Sequence, residues 1–322
     1  MTLSHRTQAT MLLTVHIAAR ADDAPEPLDL REWNKIARWL HERELTPEDL
    51  VLGDAGSLLE AVEEAQLDRD RILRLLDRGP ALALALDRWE SAGIWVRHRS
   101  DSDYPRRLRE RLKASAPALL FGCGDARLGD TGGVAIVGSR NVSPVDRQLA
   151  YNLGRMVSAA GKTVVSGGAR GTDGQAADGA FEGSGRVVAV VADALTRNIG
   201  RRQYREQVMD GNLLLLTRYS PDAGFTPGNA LGRNKLIYCL ADTAIAVCSA
   251  NGSGGTFRGA MENLERKWVP LWVAQTDAAD SGNPALLEAG ARWLPALDRL
   301  DVDDLFTANE ATASPDDGGR LV

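Results

Sequence analysis

The chain has 322 residues, 44% of them hydrophobic and 25% charged, with a formal net charge of −6. That is the composition of a soluble globular protein with room for one large domain or two ordinary ones. The acid excess argues against a general nucleic-acid coat protein, and no apolar run reaches the roughly 18 residues a membrane span needs.

At the amino end an apolar run, Met11–Ala19, contains His16 and is followed by acidic residues. A core helix is expected there rather than a secretory signal, and a cytoplasmic protein with it. Cys123, Cys239 and Cys248 have no spacing that suggests a disulfide or a zinc site. They are expected to be small core hydrophobes in a reducing compartment. From Leu28 to Glu90 apolar residues recur at helical steps: Trp33, Ile36, Ala37 and Leu40, then Leu58, Leu59, Val62 and Ala65. Thr46-Pro47-Glu48-Asp49 reads as a helix start with a cap, proline at the first position and acids in the first turn. Residues 1–92 are therefore expected to form a helical domain for packing or interaction.

Residues 93–306 change character. Ile94-Trp95-Val96 reads as a short strand, Asp103-Tyr104-Pro105 opens a basic helix from Arg106 to Lys113, and Pro117–Phe121 reads as a buried strand. From Gly133 strand and helix alternate. Strands are expected at 133–138, 163–166, 186–191, 213–217, 243–248 and 269–273. Helices are expected at about 144–160, 172–183, 201–210, 229–241 and 256–267. The strands are continuous apolar runs with little alternation, as in parallel strands covered on both faces. This predicts an α/β fold: a doubly wound, mostly parallel sheet, with ligands beyond the carboxyl ends of its strands. A helix over Asn283–Gly290, an edge segment at Trp293-Leu294 and a helical turn at Asp301–Phe306 follow. Residues 307–322 form a polar tail, expected to be disordered.

Four stretches are expected on one rim as an anion-binding mouth. The first strand breaks into Gly138-Ser139-Arg140, with Ser143 capping the next helix. The second breaks into Ser166-Gly167-Gly168-Ala169-Arg170-Gly171-Thr172-Asp173. Gly232-Arg233-Asn234-Lys235 reads as a helix start, and Ser253-Gly254-Gly255-Thr256 as a further glycine turn. Glycine allows close backbone approach, helix amides favour phosphate, and arginine forks onto phosphate oxygens. Arg170 either reaches a ligand or braces its loop through Asp173; Asp173 either caps the next helix or touches ligand. Residues 131–272 hold 16 Lys/Arg against 11 Asp/Glu, a local balance of +5 on an acidic body. That suits a specific anionic ligand. The pattern is neither G-x-G-x-x-G nor a P-loop. The four histidines, His5, His16, His41 and His98, all precede this region, so no histidine base, metal ligand or triad is expected in the mouth, and no cofactor, metal or catalytic residue is assigned.

In combination these residues resemble the DprA/Smf family of DNA-processing proteins, related to the LOG/lysine-decarboxylase-like group. The likeness rests on Val134–Arg140 with Ser143, Ser166–Asp173, Arg233-Asn234-Lys235-Leu236-Ile237 with Asp242, Ser253–Thr256, and Gly282-Asn283-Pro284-Ala285-Leu286. Asp103-Tyr104-Pro105 and Pro117–Leu120 fit the lead-in. It covers roughly residues 95–295. The resemblance implies an extended Rossmann-like fold, homodimerisation, single-stranded DNA in the basic mouth, and loading of a RecA-type recombinase, with Arg140, Arg170, Arg233 and Lys235 on phosphates. Two departures stand out: Ala177 where the family often has histidine, and Phe225 as the aromatic nearest the Arg-Asn motif, not adjacent to it. Two other readings stay open. One is a LOG-like enzyme or sensor binding or cleaving a nucleoside phosphate, with Arg258 and Glu262 as its chemistry. The other is an antitoxin or phage-defence protein of the same fold that holds a toxin partner.

Overall fold

A computed structural model describes residues 3–17, 24–250, 252, 254–276 and 281–307. The chain forms two compact units. One takes Met1–Asp130 and Val191–Arg233; the other takes Thr131–Val190 and Asn234–Val322. The polar tail expected after residue 307 lies outside the described residues.

The first unit begins with helices α1 (His5–Thr14), α2 (Leu30–His41), α3 (Asp49–Leu52), α4 (Ala55–Leu58), α5 (Arg69–Leu76) and α6 (Gly79–Ser91). Asp29 starts α2 with a reciprocal cap: its carboxylate accepts from Glu32 N–H, and Glu32 accepts from Asp29 N–H. The helical spacing read from the sequence buries as expected, around Trp33, Ile36, Leu40, Leu59, Val62, Ile72 and Leu75. The start expected at Thr46 differs. Thr46 donates its N–H and its hydroxyl to the Asp49 carboxylate, closing a turn, and the helix begins only at Asp49. Strand β1 (Trp95–His98), helix α7 (Arg106–Leu112) and strand β2 (Leu119–Cys123) follow. The expected basic helix is present, but its arginines are partly spent within the unit: Arg109 donates to the Arg99 and Asp101 carbonyls.

The second unit holds β3 (Val134–Val137), α8 (Pro144–Ala159), β4 (Val164–Ser166), α9 (Thr172–Glu182) and β5 (Val187–Val190). The chain then returns to the first unit for α10 (Leu195–Ile199), α11 (Arg202–Met209) and β6 (Leu213–Thr217). Helix α12 (Pro227–Leu240) leads back to the second unit, which adds β7 (Thr243–Ala246), α13 (Gly254–Arg266), β8 (Leu271–Val273), α14 (Asn283–Glu288), β9 (Arg292–Trp293) and α15 (Asp304–Thr307).

Within the first unit β1, β2 and β6 pair antiparallel in that order. Within the second, the described strands run β5-β4-β3-β7-β8-β9, every pair parallel. Strands β3, β4, β5 and β7 are buried along their whole length, which is why they read as unbroken apolar runs. From β3 the chain builds outward to β5; after its return it starts at β7 and builds the other way. The strand order therefore reverses between β3 and β7, and a crevice opens at such a point. The expected α/β, mostly parallel architecture is thus the observed one. Among the described residues no helix is long and apolar enough to cross a membrane. Cys123, Cys239 and Cys248 are free and buried, as small core residues would be.

Candidate functional site

Three loops leave the carboxyl ends of β3, β4 and β7, and all three belong to the second unit. Two of their glycines, Gly138 and Gly171, are explained by how closely the loops pack. A Cβ on Gly138 would stand 2.2 Å from Thr172 Oγ1. Gly171 has φ +86, and a Cβ there would lie 2.6 Å from both the Ser139 and the Arg140 carbonyl oxygens. The loop after β3 and the loop after β4 therefore meet backbone to backbone, which any larger residue would prevent. Thr172 completes the contact by donating its N–H and its hydroxyl to the Ser139 carbonyl, at 3.3 and 3.2 Å.

The third loop is tied to the same place. Thr256 donates its hydroxyl to the Gly138 carbonyl at 2.9 Å. Ser139 N–H donates to the Cys248 carbonyl at 2.9 Å. Asn234 Nδ2 donates to the Gly255 carbonyl at 2.9 Å, so α12 is also fastened to the start of α13. The expected convergence of loops thus rests on specific bonds. Thr256→Val should remove the bond to Gly138 and leave that carbonyl short of a donor. A loss of about 1–2 kcal/mol is expected, read as a lower thermal midpoint. An unchanged midpoint would mean that this bond contributes nothing.

These locks sort the sequence-predicted residues by what their side chains do. Arg140 and Arg170 are exposed on the two interlocked loops. Ser139 Oγ accepts from Asn141 N–H at 3.2 Å, shaping its own loop. Ser143 caps α8 by accepting from Asp146 N–H at 3.1 Å, with Pro144 at the first helical position. Gly168 has φ +62, a conformation glycine adopts freely. Gly167 is buried beside it.

Several expected contacts are placed otherwise. Ser166 is 1% exposed and donates its hydroxyl to the Ile136 carbonyl at 2.8 Å, tying β4 to β3. Asp173 is not the cap of α9. Gly171 holds that position and Asp173, 7% exposed, is the second residue of the helix. Gly232-Arg233-Asn234-Lys235 is not a helix start either. Pro227 is the first residue of α12, and Thr226 Oγ1 accepts from Asn229 N–H at 3.0 Å, so the helix begins a turn and a half earlier. Free amides and the positive end of the dipole belong to the first turn. Gly232–Lys235 therefore present side chains only. Arg233 is 5% exposed and its charge acts on Tyr219. Lys235 is half-buried. Gly254 and Gly255 open α13, while Thr256 sits within its first turn. Ser253 and Asn251 lie outside the described residues.

Behind the loops, Tyr238 is fully buried, and burial first, then the charges of Asp173 and Glu262, pushes its hydroxyl well above the usual range. Tyr238 and Asp173 are buried and Glu262 is half-buried, while Arg140 and Arg170 lie exposed on the loops. The arrangement suits holding an anion against backbone and arginine. The residue the sequence reading passed over is Asp146, 4% exposed at the start of α8. The spacing Ser143-x-x-Asp146 carried its signal, a helix cap followed three residues later by an acid.

The model of the family described as DNA recombination-mediator protein A matches residues 95–305. A DprA relative from Mycobacterium tuberculosis is 28% identical over 197 residues, covering 60% of this chain and 50% of that protein. The chain thus spans half the length of that relative. The X-ray structure of DNA processing protein A from Streptococcus pneumoniae matches with a TM-score of 0.68 and 20% identity, over 91% of this chain and 95% of that one. Its likeness is one of fold. DNA processing protein A from Helicobacter pylori, in a structure describing its single-stranded DNA binding mode, matches with a TM-score of 0.54 and 26% identity. That match covers 68% of this chain and 98% of that one.

Proposed function

Because this chain belongs to the DNA recombination-mediator protein A family, we propose that its loop rim binds single-stranded DNA in DNA processing. The observation that carries the reading is the exposure of Arg140 and Arg170 on two loops locked to each other backbone to backbone. A rigid pair of arginines beside glycine-lined backbone presents forked donors and amides to successive phosphates. The Helicobacter pylori relative, which binds single-stranded DNA, supports the same ligand here. Lys235 adds a third cation from α12, while Asn234 and Thr256 act by holding the loops. Homodimerisation and a RecA-type recombinase as partner belong to the same proposal.

On this reading the rim holds phosphates and does no covalent chemistry. The direct test is oligonucleotide binding over a salt series. The double variant Arg140→Ala/Arg170→Ala is expected to bind more weakly and to lower the slope of log K against log salt by roughly 1.4, about 0.7 for each lost phosphate contact on a single strand. Slope and affinity unchanged in the double variant would sink the proposal. Turnover of a nucleoside phosphate, absent in that variant, would replace it with the LOG-like alternative.

A further inference from the structure

On the other side of the 138–143 loop, within the second unit, lies a cavity of about 640 Å³. Its walls are the end of that loop, the first turns of α8, the ends of β7 and β8, and the start of α14. It therefore sits where the strand order reverses, the place such sheets keep for ligands. Its size is that of a small-molecule site.

One wall is polar in an unusual way. Asp146 is 4% exposed and lines the cavity. Its Oδ2 accepts from Ser143 Oγ at 2.9 Å and lies 3.5 Å from Thr276 Oγ1. Its Oδ1 has no donor among the described residues. Among the described residues no cation pairs with the group, and the amides at the start of α8 and two hydroxyls are its support. A buried carboxylate with an open oxygen calls for N–H donors. Apolar groups share the lining: Val145, 71% exposed, and Leu149 on α8, Pro284 on α14, and Trp293, 39% exposed, on β9. A flat ring that stacks on Trp293 and turns an N–H edge to Asp146 fits this mixed lining.

We propose that this cavity is a base-reading pocket that takes guanine, with the guanine N1–H and N2–H donating to the Asp146 carboxylate and the ring lying against Trp293. Guanine alone among the bases sets two N–H donors side by side on its pairing edge. A carboxylate is acceptor-only, so it favours guanine over adenine and cytosine, which offer an amino group beside an acceptor. Thymine, with one N–H between two carbonyls, is disfavoured most. That the base comes from a strand on the rim rests on the proposed DNA reading; the pocket chemistry does not.

The experiment compares oligo(dT) with the same oligonucleotide carrying a few dG residues, and separately titrates guanosine monophosphate. Each ligand is measured on the full chain, on Asp146→Asn and on Trp293→Ala. The dG oligonucleotide is expected to bind about tenfold or more tighter than oligo(dT). Asp146→Asn should abolish that preference and leave oligo(dT) binding unchanged. Trp293→Ala, a change at a surface ring, should weaken it and serves should Asp146→Asn unfold. A preference seen only in the strand assigns the base to DNA; binding of the free nucleotide as well assigns the pocket to guanine from either source. Loss of oligo(dT) binding alone, with guanosine monophosphate still bound in an Asp146-dependent way, would overturn the rim and keep the pocket. Equal binding of dG and dT strands without nucleotide binding, or a guanine preference that survives both substitutions, would overturn the pocket.

Discussion

Gly179→Val is expected to destabilise the protein by about 3 kcal/mol or more, lowering the melting midpoint by roughly 6–12 °C. A Cβ at Gly179 on α9 would stand 2.0 Å from the Tyr151 carbonyl of α8, and one at Gly154 on α8 would stand 2.0 Å from the Ala176 carbonyl of α9. The two helices cross at mutual glycines with backbone against backbone. Neither partner is a side chain that can swing aside, so the helices must separate. The consequence reaches the site, because α8 carries the 138–143 loop and α9 carries the 167–171 loop. Separating them breaks the Thr172–Ser139 bonds and spreads Arg140 from Arg170. Oligonucleotide binding should fall together with stability. Gly161→Ala is the control. Gly161 has φ +70 with nothing within 4 Å of its missing Cβ, so only the backbone penalty of about 1–2 kcal/mol applies. Equal midpoint losses for the two variants would refute the close-approach account.

Acidification is expected to weaken the protein through His98. The side chain is 8% exposed, and its ionisation is lowered from 6.5 to about 4. Burial is the main cause; the charges of Arg6 and Arg99 act the same way, and Asp101 opposes them. The hydrogen bonds agree. Ser100 N–H donates to His98 Nδ1 at 3.1 Å and the Ser100 hydroxyl lies 2.7 Å from the same nitrogen. Nδ1 is therefore the acceptor, and a proton there would displace the Ser100 N–H bond and turn the hydroxyl contact round. Above pH 6.5 the ring is neutral folded and unfolded, and nothing is lost. As pH falls from 6.5 towards 4, the unfolded chain takes up a proton that the folded chain refuses, so stability declines across that window. Between pH 7.5 and 4.5 the decline should reach about 2–3 kcal/mol. His98→Asn keeps an acceptor for Ser100 and has no proton to gain. Its stability should fall less over the same range by that amount, measured by denaturant unfolding at each pH. Identical pH profiles for the two proteins would rule His98 out as the cause.

The element pattern was legible in the sequence because it is local. A run such as Val134–Val137 is apolar at every position since both faces of a parallel strand are covered, and Ser143-Pro144 marks the start of α8 by chemistry confined to one turn. The same local signals, weighed incompletely, misplaced the start of α12. Thr226-Pro227 carries the cap and the first helical residue, and the glycine at Gly232 drew attention away from them. Likewise the glycines of α8 and α9 read only as weak helix formers, since a helix–helix crossing has no trace in either helix alone.

What the sequence by itself determined is the alternation of strands and helices, the family, and three of the four glycine stretches at one sheet edge. Each of these depends on residues close together in the chain. What only the tertiary structure decided is which loop residues are spent on holding the site and which face outward. Thr256 and Gly138 bond across 118 positions, and Asn234 and Gly255 across 21. Ser166 turns inward to Ile136, Asp146 is sealed beside a cavity, and Arg140 and Arg170 are left exposed. A hydroxyl or amide can serve a ligand or a distant carbonyl with equal chemistry. Its partner is chosen by where the fold brings the two together, and nothing in the local sequence records that choice.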